Sequence, residues 1–210
     1  MKKSDNSDAT PPLDDFFTIT DLETLKAVST PFRQNLMRLM AERPRTVKGM
    51  ARELDMPPSR LYYHVNQLEK HGVARVVKTQ VVSGIIEKHY QLVAKGFRVD
   101  RALLTPGSGQ ADTAIETLLT STFDAAEKEI RQGLQSGAID MRKSTHEPGA
   151  LFISHALTAL SAERYRYFLQ RLTELFQEFE EADPASEGEG GYLTGLLVAI
   201  YPTASPKPDD

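Results

Sequence analysis

The chain of 210 residues contains no cysteine. That excludes a disulfide framework and any thiolate metal site. No run approaches the roughly 18 consecutive apolar residues of a membrane span. Met1, Lys2 and Lys3 are followed by Ser4, Asp5 and Asn6, so no apolar signal core opens the chain. The five histidines, His64, His71, His89, His146 and His155, show no i, i+4 pairing of the kind that holds a metal. A Gly-x-Ser-x-Gly elbow, a phosphate loop and a dinucleotide fingerprint are all missing, as is any internal repeat. An overall excess of positive charge is missing too, since the net charge is −4. These absences point to a cytoplasmic protein with no membrane contact, no resident cofactor and no metal, and to a non-enzyme.

What is present is a charge asymmetry. Residues 1–105 hold 17 Lys and Arg against 12 Asp and Glu, while residues 106–210 hold 8 against 17. A phosphate backbone attracts the first half and repels the second. In the cationic half the segment from Pro58 to His71 has Leu61, Val65 and Leu68 at i, i+4 and i+7, one apolar helical stripe. The other face carries Ser59, Arg60, Tyr62, Tyr63, Asn66, Gln67 and Lys70. It has hydroxyls, amides and cations, with no carboxylate before Glu69, and so suits base edges and phosphates in a major groove. Gly72 stands at the helix C-cap. Upstream, Thr46 caps a shorter helix that ends near Leu54, and Asp55, Met56, Pro57 and Pro58 turn the chain, with Pro58 in the first turn of the next helix. Helix, tight turn and polar-faced helix make a helix-turn-helix.

Val73–Val82 and Ile85–Leu92 read as two strands around Ser83 and Gly84, the wing of a winged helix. On the first strand Val76 and Val81 are expected to pack. Arg75, Lys78 and Lys88 lie on this hairpin, where long basic side chains near the tip reach phosphates or a minor groove. The stretches 25–40, 46–54 and 61–72, with the sequence Leu61, Tyr62, Tyr63, His64, resemble the ArsR-type winged helix-turn-helix transcriptional regulators. The chain is similar to the subgroup with an extra C-terminal domain and departs from the metal-sensing members. That resemblance covers the first half of the chain and implies a DNA-binding regulator, more often a repressor than an activator.

In chain order, residues 1–17 read as a disordered arm and 18–105 as the winged helix-turn-helix. Leu22, Leu25 and Val28 form one apolar face, and Pro31 opens a helix with Phe32, Leu36, Leu39 and Met40 inward. Val47, Met50, Ala51 and Leu54 complete a small core with Leu61, Val65 and Leu68. Arg33, Arg38 and Arg45 either contact phosphates or are simply solvated. His64 flanks the apolar stripe as a packed, hydrogen-bonded histidine. Residues 94–104 read as an extended or irregular connector, and Thr105–Gln110 as a linker.

The second half, 111–203, reads as an α+β dimerisation and effector domain, followed by a tail at 204–210. A helix is expected over about 112–135. Strands are expected at 139–142, 150–157 and 192–201, a helix capped by Ser161 runs to about Ala182, and an acidic loop fills 183–191. The fold class is therefore α+β, an N-terminal winged helix-turn-helix with a C-terminal small module of two helices on a short antiparallel sheet. The aromatic stripe from Tyr165 to Phe179 fits a core helix, a dimer interface or a small-molecule pocket. The reading is a homodimeric, sequence-specific regulator of transcription on double-stranded DNA, open to control by a small-molecule effector. The alternative is a winged-helix module that binds protein instead of DNA.

Overall fold

The computed structural model describes residues 11–82, 84–107, 109–182 and 194–203. The chain divides into two compact units, Met1–Ala125 and Ala126–Asp210.

The first unit is built on four short helices. Asp21 caps α1 (Leu22–Val28) by accepting from the Thr24 amide. The restricted Thr30–Pro31 step separates α1 from α2 (Pro31–Glu42), which starts on its proline. Thr46 follows the short strand β2 (Arg45–Thr46) and caps α3 (Val47–Glu53), its hydroxyl accepting from the Gly49 amide at 3.0 Å. Asp55 takes the left-handed conformation, φ 50°, which asparagine and aspartate tolerate better than most residues. The Met56 amide then closes onto Ala51 O, and Pro57 and Pro58 start α4 (Pro58–Lys70). Gly72, φ 70°, ends α4 in the left-handed region and sends the chain into the wing.

The wing is the hairpin β3 (Ala74–Val82) and β4 (Ile85–Leu92), with β2 on the outer edge of β4. Val82 pairs with Ile85 at the turn, and a bulge lies between Val76 and Lys78. Leu61, Val65 and Leu68 of α4 are fully buried, with Leu36 and Met40 of α2, Met50 of α3 and Val73 at the wing's root. This is the core expected from the apolar stripes, and Tyr90, Leu92, Leu103 and Ala114 join it.

Two stretches of the first unit differ from expectation. Asp14–Ile19 is a strand, β1, that begins inside the segment read as a disordered arm, 1–17, and runs two residues past it. The connector after the wing holds a second strand, β5 (Ala94–Val99), and a 3-10 turn at Arg101–Leu104. They pair in parallel, Phe16 opposite Gly96 and Ile19 opposite Val99. The link is between residues 80 apart in sequence, so neither strand announces itself locally. Phe17 lies against Phe97 at 5.9 Å, Arg98 stacks on Phe16, and Lys95 pairs with Asp15. Residues 1–10 of the expected arm lie outside the described residues.

Helix α5 (Ala111–Ser136) runs through the division between the units. Its Ala111 and Ala114 are buried in the first unit and Leu118 packs against the same core. In the second unit, Ser161 caps α6 (Ala162–Glu181), accepting from the Arg164 amide at 3.2 Å. The expected strand at 139–142 is a turn, held by Asp140 against Arg142. The expected strands at 150–157 and 194–200 are irregular, so the described residues of this unit contain helices without the sheet. Strands need a paired edge, and two short ones are marginal alone. Phe152, Ile153 and Leu157 are instead exposed. Residues 192 and 193 of the last expected strand, the acidic loop at 183–191 and the tail from 204 lie outside the described residues.

The first unit gives a direct test of its core. Leu61→Ala removes a fully buried side chain where α4 meets α2 and α3. Chemical denaturation should show a loss of about 2–5 kcal/mol. A loss below ~1 kcal/mol would contradict the packing.

Candidate nucleic-acid interface

Burial of Leu61, Val65 and Leu68 fixes how α4 is rotated. With that stripe inward, Ser59, Tyr63, Asn66 and Lys70 share the outer face, and Arg60, Tyr62 and Gln67 lie on its flanks, since successive residues turn by about 100°. Ser59, Arg60, Asn66 and Lys70 are exposed, and the rings of Tyr62 and Tyr63 are 46% and 62% exposed. For side chains of this size such exposure leaves hydroxyls, amide and cations in reach of a ligand lying along the helix.

Glu69, the first carboxylate after Pro58, is turned away from this face. It receives Lys88 Nζ of β4 at 3.4 Å and the Tyr90 phenol. On the neighbouring helix, Lys48 of α3 pairs with Glu87 of β4 at 2.6 Å. Strand β4 is therefore clamped to both helices of the helix-turn-helix by three contacts, through Glu87, Lys88 and Tyr90. Burial raises the Tyr90 phenol to about 12, helped by the charge and hydrogen bonding of Glu69.

The wing's cations are not at its tip. Lys88 lies opposite Thr79, and Lys78 opposite His89. Both stand back from the Val82–Ile85 pair, Lys88 by roughly 10 Å at the strand rise of about 3.3 Å per residue. The tip itself is apolar. Val81, Ile85 and Ile86 are each at least 60% exposed, so Val81 does not pack as expected. Sequence reading missed this patch because a valine on a strand was expected to pack, whereas the hairpin projects past the core that would cover it.

Several expected contact residues are committed elsewhere. Arg75 donates to the carbonyls of Pro11 and Pro12, the latter at 2.6 Å, and holds the N-terminal segment to β3. Arg45 is nearly covered and pairs with Glu42 and Glu53. Arg33 donates to Ala27 O and Lys26 O and so caps the end of α1. Arg38 is exposed. Thr46 is occupied as a helix cap.

His64 packs between Phe32 and Tyr63, ring centroids 4.6 Å and 5.3 Å away. It is not hydrogen-bonded as expected, because its buried Nδ1 has no partner. Burial and then Arg33 hold its pKa below the ordinary value, so the ring is neutral at pH 7. His71 Nδ1 meets the Thr24 hydroxyl at 3.1 Å and ties α4 to α1. Among the described residues no group of three or more His, Asp or Glu side chains is placed to hold a metal ion, and no helix is long and apolar enough to cross a membrane. Of the aromatic stripe considered for a ligand pocket, Phe168, Phe176 and Phe179 are exposed.

Comparison with known proteins supports a helix-turn-helix within the first half. A family described as a helix-turn-helix domain matches residues 28–77, which take in α2, α3, α4 and the start of β3. No curated protein matches the chain. Among solved structures, reduced HlyU from Vibrio cholerae N16961 is similar at 19% identity and a TM-score of 0.29, over 35% of this chain and 72% of that one. A transcriptional regulator HlyU from Vibrio vulnificus CMCP6 is similar at 19% identity and a TM-score of 0.29, over 35% and 71%.

The clamp on β4 has a pH signature. A phenol raised to about 12 in the fold and near 10.0 when unfolded keeps its proton longer in the folded chain. Its contribution is fully present below pH 10 and is lost as pH rises toward 12. Tyr90→Phe should lower stability by roughly 1 kcal/mol at neutral pH and lose stability less steeply than the wild type between pH 10 and 12. Parallel curves for the two proteins in that window would show that Tyr90 is not so held.

Proposed function

We propose that the chain is a sequence-specific regulator of transcription that binds double-stranded DNA as a homodimer, with α4 in the major groove. The observation that carries this is the outer face of α4. Its side chains are exposed donors and acceptors, and Glu69 is withdrawn onto the wing. Tyr62, Tyr63, Asn66, Arg60 and Gln67 read base edges, while Ser59 and Lys70 at the two ends of the helix meet the backbone. The helix-turn-helix match over residues 28–77 supports the same reading. Two copies related by a two-fold axis place two such helices on half-sites about 34 Å apart. Occupying a promoter in this way makes repression the simpler outcome. No catalytic role is assigned to any residue.

The wing adds non-specific contacts through Lys78 and Lys88, the latter on leaving Glu69, while Arg75 stays with the N-terminal segment. The apolar tip, Val81, Val82, Ile85 and Ile86, is the observation that favours a second reading, a wing that binds protein. Duplex binding decides between them. A chain that binds no DNA at ~50 mM salt leaves only the second.

Two measurements test the proposal. Affinity for a selected operator should fall by at least tenfold between ~50 and ~200 mM salt, as phosphate contacts release counterions; a flat profile would sink the DNA reading. On that operator Arg60→Ala or Tyr63→Ala should cost about 1–3 kcal/mol and relax base preference. Lys78→Ala should weaken all sequences by about the same factor. If the wing change alters base preference and the helix changes do not, the two roles are reversed.

A further inference from the structure

Helix α6 carries an apolar stripe with a period of seven. Tyr165, Leu172 and Phe179 are seven apart, as are Phe168 and Leu175, and Leu169 and Phe176. That 3.5-residue repeat is the pattern of a helix pressed along another helix for its whole length, here about 30 Å. Nothing among the described residues covers it. Phe168, Leu169, Leu175, Phe176 and Phe179 are exposed, and only Tyr165 and Leu172, at the centre of the stripe, are half-buried.

The charges on α6 say what covers it. Arg164, Arg166 and Arg171 lie in its first half. Glu174, Glu178 and Glu181 lie in its second, with Glu163 at the N-terminus as the exception. A parallel copy would set like charges side by side. An antiparallel copy sets each basic half against an acidic one.

We infer that α6 pairs with α6 of a second copy of this chain, antiparallel, about a two-fold axis near Leu172. In this register Leu172 meets its own copy, Tyr165 lies opposite Phe179, Phe168 opposite Phe176, and Leu169 opposite Leu175. On the flank of the stripe Arg164 comes beside Glu178 of the second copy, and symmetry repeats the pair at the other end. Arg164 is already placed along the seam, its guanidinium 5.2 Å from the Phe168 ring and 5.4 Å from Tyr167. Seven large apolar side chains from each copy bury an area on the order of the ~1,000 Å² that a specific interface needs. Self-pairing needs no other partner, because the pattern is complementary to itself. The inference rests on the homodimer part of the proposed function and names the surface that forms it.

The test is sedimentation of the full-length protein at several concentrations, without DNA, for four variants. Leu172→Asp places two carboxylates together at the axis and should give a monomer with unchanged helical circular dichroism. Arg164→Glu should raise the dimer dissociation constant by about tenfold by setting Glu against Glu178 twice. It does so without weakening the helix, since a glutamate three residues after Ser161 completes a capping box. Glu178→Arg should do the same. Carrying both changes, Arg164→Glu with Glu178→Arg should restore the wild-type constant, which no parallel or unrelated pairing does. A dimer unaffected by Leu172→Asp, or a double variant as weak as the singles, overturns the α6 seam while leaving a homodimer in place. A wild-type protein that is monomeric up to ~100 μM overturns the homodimer as well. DNA binding by the monomeric Leu172→Asp to a single half-site separates either failure from failure of the DNA reading.

Discussion

The outer face of α4 depends on the inner one. Leu61, Val65 and Leu68 are fully buried against α2, α3 and the wing's root. At about 25 cal/mol per Å² of apolar surface, three such side chains contribute several kcal/mol toward one rotation of the helix. A turn of even one residue would bring Tyr62 or Asn66 inward with its polar atoms unmatched, at a cost of about 1–3 kcal/mol for each. The Asp55 turn and the two prolines fix where α4 begins, and Gly72 fixes where it stops. A row of exposed hydroxyls, amides and cations is thereby held on a rigid element, which is what reading base edges requires.

Charge on this unit divides into what holds the fold and what remains for a ligand. Arg33 caps α1, Arg45 joins α2 to α3 through Glu42 and Glu53, and Arg75 secures the segment at Pro11 and Pro12. Their guanidiniums present several donors in a fixed plane, suited to bridging carbonyls and carboxylates that one ammonium would not span. Lysine does the looser work of tying β4 to the helices, through Lys48 and Lys88. The surplus of cations counted along residues 1–105 therefore overstates the positive surface. The proposed DNA binding takes its salt dependence from the exposed subset, with Arg60 and Lys70 on α4 at its centre.

What the sequence made legible follows the range of the contacts. Four helices, the turn, the hairpin and the core stripe were readable, because each is set by periodicity, a cap or a proline within a few residues. The outward residues of α4 were readable for the same reason. The parallel pairing of β1 with β5 was not, since neither strand has a partner nearby in sequence. The roles of Arg45 and Arg75 were hidden because an arginine's partners are settled only by folding. The exposed wing tip was hidden because period-two alternation says which face a residue occupies and nothing about how far the hairpin outruns the core.

The second unit shows the same limit from the other side. Its apolar runs at 150–157 and 194–200 suggested strands, yet their described residues are irregular, and not one described residue of this unit is buried. Folding a segment loses roughly 1–2 kcal/mol of backbone entropy per residue, which burial must offset. In α6 the offset is missing among the described residues, while the stripe that could supply it is regular from Tyr165 to Phe179 and its flanking charges run from basic to acidic along the helix. A pattern that makes no sense as the core of one chain does so at a two-fold axis. In the proposed pairing, burial of this stripe between two copies adds to the stability of the helix, so that association and the stability of the unit rise together with protein concentration.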